Sequence, residues 1–204
     1  MQKNDLNKTF FEEAAGLYRL RVSFESVYTS VFLVEHPQGA ILVDCATTQA
    51  DVDEYIVPAL QRRGLALSDV SALVLTHRHA DHAGGLARVL QYAPHIELIT
   101  EPRRIRDEIF TYPLAGHTED AIGLLDLRTY TLLSGDGLQG AGVDKYRCYL
   151  KNREGYLQTI ARIRNDKRIE NILFSHAYEP WYKDCAVGRE AVERCLDDCI
   201  ACMR

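Results

Sequence analysis

Long apolar runs are missing from this sequence of 204 residues. No window of about 18 apolar residues is present that could span a bilayer, and the N-terminal stretch MQKNDLNKTFFEEAAG lacks the apolar core of a secretory signal. Both absences set the expectation of a cytoplasmic protein with no membrane partner. A basic excess is missing as well. The 24 Lys and Arg against 29 Asp and Glu give a net charge of -5, spread along the chain, so no electrostatic footprint for nucleic acid exists. The densest basic cluster, Arg103, Arg104 and Arg106, has acids on both sides and reads as the solvated face of a helix. No Gly-, Pro- or Ser-rich linker interrupts the strand-rich opening block. With 47% hydrophobic residues, the length fits one core, so a single domain over 1–204 is expected.

Six cysteines are present, and in the cytosol they stay reduced. Cys195, Cys199 and Cys202 have a spacing that elsewhere holds iron–sulfur clusters. Here they fall at i, i+4 and i+7 of a segment, Gly188 to Met203, whose Val192, Leu196, Ile200 and Met203 share a broad helical face. A regular helix wraps poorly around iron, so these thiols are read as small packing residues.

What the sequence does contain is concentrated in VSALVLTHRHADHAGG, Val70 to Gly85. An apolar run ends at Thr76, and His77, His79, Asp81 and His82 follow within six residues. Burying that many polar groups unpaired costs roughly 2 to 7 kcal/mol for each neutral group and more for a charge, whereas a divalent cation satisfies them together. His77 and His79 lie two apart and share a face in an extended segment. Asp81 and His82 come where the chain turns at Gly84 and Gly85 into a helical pattern at Leu86, Val89 and Leu90. One ion at the first pair and a second at the later pair is the geometric reading.

The rest of the chain is read around that stretch. Leu17 to Ser23, Tyr28 to Glu35 and Ala40 to Asp44 read as strands, the last two joined by the turn His36 to Gly39. Asp44 ends an apolar strand. Its carboxylate either caps the following helix, a task open also to Thr48 and Asp51, or backs a metal-bound histidine. Gln49 to Arg63 has the helical period and stops at Gly64, with a kink or early break expected at Pro58. Ile96 to Thr100 reads as a strand and Glu101 to Phe110 as a helix. His117 lies in a Gly-His-Thr turn ahead of apolar runs at Ile122 to Leu125 and Tyr130 to Leu133, the second of which leads to Asp136. Gly155 to Arg164 is helical, and Ile169 to Phe174 is a buried strand that ends near His176. Chemistry-bearing residues thus recur at strand ends, which favours one convergent site.

The pattern H-x-H-x-D-H at His77 to His82, then Gly-His-Thr at His117, then Asp136 and His176 at strand ends, resembles the metallo-β-lactamase-fold hydrolase superfamily. The resemblance runs from Asp44 to His176. It implies an α/β protein, a four-layer α/β/β/α sandwich of two mixed sheets with the site on one edge. It implies that His77, His79 and His117 hold one metal and Asp81, His82 and His176 the other, with Asp136 bridging and Asp44 buried behind them. Asp81 and Asp136 are then the carboxylates tied to catalysis. Two features depart from the family: the stretch from His82 to His117 is short, and Ala115 replaces the usual proline before Gly-His-Thr.

The chemistry expected is that of a dinuclear hydrolase. Two ions roughly 3.5 to 4 Å apart hold a hydroxide between them, because coordination lowers the pKa of water to about 7. Zinc is the first expectation, with iron and manganese compatible with the same ligands. The substrate is a small ester, thioester, lactone or phosphodiester. A bridging aspartate without a cysteine ligand looks more like the thioesterase, lactonase and phosphodiesterase members than like β-lactamases. The C-terminal helical domain of glyoxalase II-like members is not expected, so loops must hold the substrate. Tyr146 and Tyr149, with Tyr178, Trp181 and Tyr182, are candidate pocket walls or surface packing. Two other readings stand beside this one. The first is an iron-dependent oxidoreductase, persulfide dioxygenase-like; the flavodiiron branch carries glutamate where this chain has His79. The second is a metal-binding module without catalysis. The sequence leaves the oligomeric state open.

Overall fold

The computed structural model describes residues 8–24, 27–138, 149–177 and 183–203. Two compact units divide the chain, Met1–Ile99 and Thr100–Arg204, and each is built on one six-stranded sheet.

In the first unit, β1 (Phe11–Ala14), β2 (Leu17–Phe24), β3 (Val27–Val34), β4 (Ala40–Val43), β5 (Val70–Val74) and β6 (Glu97–Ile99) lie side by side in that order. The first four pair antiparallel and β4 to β6 pair parallel. Antiparallel neighbours are joined by tight turns, such as the one closed by Gly39 N–H on the His36 carbonyl, but a parallel neighbour needs a crossover. The crossover from β4 to β5 is α1, made of three consecutive helical segments, Gln49–Asp51, the π-helical Val52–Ile56 and Val57–Arg62. The crossover from β5 to β6 holds α2 (Ala80–Ala83) and α3 (Leu86–Tyr92). One core joins Leu20, Val22, Val31, Leu33, Leu42 and Leu73 on the sheet to Val52, Ile56, Leu60 and Val89 on the helices. This is the period-2 and period-3.6 pattern of the sequence in packed form.

The helix does not break at Pro58, but its regular ladder gives way to a π-helical segment just before the proline. The helix continues because the Val57 N–H reaches the Val52 carbonyl five residues back, and Pro58 falls in the first turn of Val57–Arg62. Only the one bond that its missing N–H would have made is forfeited there. Gly64, at φ +75°, then ends the helix as expected.

The second unit orders its strands from β12 back to β7: β7 (Arg104–Arg106), β8 (Ile109–Pro113), β9 (Ile122–Asp126), β10 (Thr131–Leu133), β11 (Asn171–Leu173) and β12 (Cys185–Val187). Only β10 and β11 pair parallel, and between them the chain runs through α4 (Arg153–Asn165); α5 (Arg189–Cys202) closes the unit. Its core gathers Leu114, Leu125, Leu132, Ile172 and Phe174 with Tyr156, Ile160, Val192, Leu196 and Cys199. Cys195 packs against the same cluster, in line with the packing role read from the helical spacing.

The helix expected over Glu101 to Phe110 is instead the β7–β8 hairpin. Ile105, Ile109 and Phe110 satisfy a helical spacing locally, but β8 pairs along its whole length with β9, and that tertiary pairing overrides the local preference. Thr111 pins the hairpin, its hydroxyl accepting from Arg103 N–H at 2.6 Å and donating to the Glu101 carbonyl at 2.7 Å. Two short strands, β1 and β12, had no counterpart in the sequence reading.

Candidate metal centre

In the first unit, the histidine-rich stretch follows β5. Asp44 N–H bonds to the Val74 carbonyl, extending the β4–β5 pairing by one residue, and the Asp44 carboxylate then accepts from Thr76 N–H at 2.8 Å and Thr76 hydroxyl at 2.9 Å. Its Oδ2 also lies 2.7 Å from His82 Nδ1. A buried carboxylate acting as acceptor assigns the proton to Nδ1 and leaves His82 Nε2 with its lone pair exposed. Thr76 hydroxyl, its own proton given to Asp44, accepts from His77 Nδ1 at 3.2 Å, which leaves His77 Nε2 unprotonated too. That nitrogen faces His79 Nδ1 at 3.0 Å. His82 Nε2 faces Asp81 Oδ2 at 3.5 Å.

These separations test the donor set. Two ligands each about 2.0 to 2.2 Å from one tetrahedral ion lie roughly 3.3 to 3.6 Å apart, so the His77–His79 and Asp81–His82 spacings suit a shared cation with small adjustment. The residues fit a metal.

The short helix α2 carries Asp81 and His82 into place because two glycines let it approach the 45–47 loop. Cys45 N–H bonds to the His82 carbonyl and Gly84 N–H to the Ala46 carbonyl. A Cβ on Gly84 would stand 1.7 Å from the Thr47 carbonyl oxygen, and one on Gly85 would stand 2.1 Å from that of Cys45. Cys45 itself is buried, and burial, with the neighbouring Asp44 charge, pushes its thiol far up. It packs against the core and donates from Sγ to the His82 carbonyl at 3.3 Å.

Thr48 and Asp51 form the capping box of α1. The cap that Asp44 might have supplied is thereby taken, and Asp44 is the buried partner of His82.

The second unit holds its own cluster. Asp136 lies in the turn after β10, where Ser134 N–H is tied to the Leu173 carbonyl and Gly137 N–H to that of Ser134. Its Oδ1 faces His176 Nε2 at 3.4 Å and its Oδ2 faces His117 Nε2 at 3.7 Å. Each carboxylate oxygen therefore serves a different histidine. His117 Nδ1 lies 3.0 Å from the Tyr149 carbonyl, which can only accept, so here too the Nε2 lone pair is presented. His117 and His176 are buried, while Asp136 is partly open.

Of the expected pocket residues, Tyr149 is half-exposed and meets the His117 ring edge-on at 5.6 Å between centroids. Tyr146, Tyr178, Trp181 and Tyr182 lie outside the described residues. The sequence reading passed over Thr76, whose hydroxyl links Asp44 to His77, and over the Tyr149 carbonyl. No helix among the described residues is long and apolar enough to cross a membrane.

Comparison with known proteins follows the same lines. Residues 26–104 match the family model of the metallo-β-lactamase superfamily. Among solved structures, the metallo-β-lactamase FIM-1 of Pseudomonas aeruginosa, in a mono-zinc form, aligns over 100% of both chains with a TM-score of 0.71 at 18% identity. The chain has the metallo-β-lactamase fold. The superfamily resemblance drawn from its motifs is borne out, and its two mixed six-stranded sheets with helices match the α/β sandwich of that fold. An atrochrysone carboxyl ACP thioesterase of Pseudocercospora fijiensis is 28% identical over 130 residues, 56% of this chain and 38% of that protein. A hydroxyacylglutathione hydrolase of Synechococcus sp. is 34% identical over 98 residues, 45% of this chain and 35% of that protein. The matches thus span well under half the length of these curated relatives of the metallo-β-lactamase-fold chain.

Proposed function

We propose that the chain, working as one domain over 1–204, is a dinuclear metal-dependent hydrolase whose substrate is a small thioester or related ester. His77, His79 and His117 hold one ion in this reading, Asp81, His82 and His176 the other, and Asp136 bridges them. The observation that carries it is the presentation of the histidines. His77, His82 and His117 each have Nδ1 engaged by an acceptor, and the Nε2 atoms they present stand 3.0 to 3.7 Å from another ligand atom within their own unit. The two oxygens of Asp136, turned to two different histidines, support the bridging role.

When bound, two divalent ions of the zinc type supply Lewis acidity and bring the pKa of water down to about 7. The chain's residues do the rest. Asp44 and Thr76 keep His82 and His77 in the ligating tautomer. Tyr149, half-exposed beside His117, forms part of the wall that orients the acyl group. A thioesterase and a hydroxyacylglutathione hydrolase among the relatives favour the thioester over lactone and phosphodiester.

The test is metal analysis of the protein as purified, followed by a panel of model thioesters, esters, lactones and phosphodiesters before and after chelation. Two zinc or manganese ions per chain and chelator-sensitive thioester hydrolysis are expected. One iron per chain would favour an oxidoreductase instead. Asp136→Ala should abolish hydrolysis; full activity in that variant would sink the two-metal reading.

A further inference from the structure

We propose that α4 is the template that orients His117, and that Thr159 and Asn152 are positioning residues for the ion His117 holds; this rests on the metal-centre reading above. The Gly-His-Thr turn has one internal bond, from Gly116 N–H to the Thr118 carbonyl at 2.9 Å, and three carbonyls of the segment that enters it are taken up from one side. The Pro113 carbonyl accepts from Arg162 Nη1 at 2.9 Å, that of Ala115 from the Thr159 hydroxyl at 2.9 Å, and that of Gly116 from the N–H groups of Lys151 and Asn152, both at 3.0 Å. Every one of these donors lies on α4 or in the residues that lead into it. His117 answers by donating from Nδ1 to the Tyr149 carbonyl at 3.0 Å in the same lead-in segment.

Two further facts show that the contact is built rather than incidental. A Cβ on Gly116 would stand 2.6 Å from the Tyr156 ring and 2.8 Å from its Cβ, so the turn lies on the helix too closely for any side chain. Thr159 is buried in the middle of α4, where threonine is a poorer helix former than alanine or leucine; its hydroxyl donates to the Ala115 carbonyl. Asn152 fixes where the helix begins, its side chain accepting from Gly155 N–H at 2.8 Å, and so fixes the height of the Tyr149 carbonyl and of the two N–H groups on Gly116. The direction of the His117 lone pair is therefore set by residues that touch no metal.

The experiment is zinc titration of the metal-stripped full chain, by calorimetry and by chelator competition, with apo-protein melting in parallel. Thr159→Val, Thr159→Ser, Asn152→Ala and His117→Ala are compared with wild type. Removal of the direct partner of a ligating histidine costs roughly 10- to 100-fold in metal affinity, and Thr159 acts one step further out through the Ala115 carbonyl, so Thr159→Val should raise the dissociation constant of one zinc by roughly three- to tenfold. The zinc affected should be the one lost in His117→Ala, with the second zinc unchanged. Thr159→Ser keeps the donor and should bind as wild type does. Asn152→Ala should weaken the same zinc, which keeps the inference testable if the valine variant folds poorly. Wild-type affinity for both ions in Thr159→Val and Asn152→Ala would overturn the inference while leaving the metal centre intact, as would equal weakening of both ions. A wild-type chain that takes up no zinc would overturn the metal-centre reading and this inference with it.

Discussion

Replacing Asp44 by asparagine isolates what its carboxylate does. Asp44 is fully buried and accepts at both oxygens, from Thr76 N–H at Oδ1 and from Thr76 hydroxyl and His82 Nδ1 at Oδ2. It also has φ +62°, a left-handed conformation that asparagine tolerates better than most residues. Alanine would be a poor probe. It would strand Thr76 N–H and His82 N–H in the interior at about 1 to 3 kcal/mol each, and it would bear roughly 1 to 2 kcal/mol of left-handed strain in a fold whose whole stability is of order 5 to 15 kcal/mol. Asparagine keeps the shape. With its oxygen toward Thr76 N–H, its amide nitrogen must donate to His82 Nδ1, which drives the imidazole proton onto Nε2 and removes the lone pair a metal needs. Turned the other way, it sets two donors against each other at Thr76 N–H. Either arrangement loses a charge-assisted bond of about 1.5 to 3 kcal/mol. In the first, affinity for the ion at His82 falls roughly 10- to 100-fold, equivalent to about 1.4 to 2.7 kcal/mol. Zinc titration of stripped Asp44→Asn should show one weakened ion, and imidazole nitrogen NMR of the apo protein should show His82 protonated at Nε2. Two ions bound with wild-type affinity, with His82 still carrying its proton on Nδ1, would refute the reasoning.

Two further perturbations probe the scaffold. Gly84→Ala sets a Cβ 1.7 Å from the Thr47 carbonyl oxygen and 2.4 Å from its carbon, backbone that cannot move aside; a loss at or beyond the upper end of the roughly 1 to 3 kcal/mol typical of overpacking is expected in urea unfolding, and an unchanged midpoint would show that α2 is not wedged as described. The Tyr112 phenol is pushed up to about 12, chiefly by burial and then by the Asp166 charge. Its folded value lies above the unfolded value of about 10, so its contribution is fully present below pH 10 and is lost as pH rises through 12. Tyr112→Phe should therefore lose less stability than wild type across that window in alkaline unfolding followed by phenolate absorbance; identical alkaline limbs would count against a buried phenol.

Elements marked by a period or by an apolar run were legible: β2 alternates, β3 to β5 are largely or wholly buried runs, and both helices of the second unit keep the i, i+4 spacing. The elements that escaped are those whose identity is decided by a neighbour. β7 has three residues, two of them arginine and none buried, and Ile105, Ile109 and Phe110 meet a helical spacing unless β9 is known to lie beside them. β1 and β12 are sheet edges of four and three residues, and a strand that short with exposed side chains has no apolar face to announce it. The π-helical turn before Pro58 likewise depends on a hydrogen-bond shift that no side chain encodes.

The site divides in the same way, and the reason is physical. His77, His79, Asp81 and His82 are close in sequence because one strand end and one short turn bring them together, so spacing alone reveals them. His117, Asp136 and His176 become neighbours only after β8 to β11 have paired, and each alone resembles an ordinary turn residue. The groups that set the tautomers of these histidines are harder still. A main-chain carbonyl such as that of Tyr149 is the same at every position, and Thr76 differs from any other threonine only in standing between Asp44 and His77. Asp44 shows how structure resolves an ambiguity that sequence leaves open. Two roles were available to it until Thr48 and Asp51 were found to cap α1 between themselves. Its left-handed backbone and that of Ala46, both at φ +62°, then acquire a purpose. They bend the chain so that Cys45 N–H meets the His82 carbonyl while the Asp44 carboxylate meets His82 Nδ1. One imidazole is thereby held from both its ring and its backbone, and local strain of roughly 1 to 2 kcal/mol per residue is offset by the bonds that orient it.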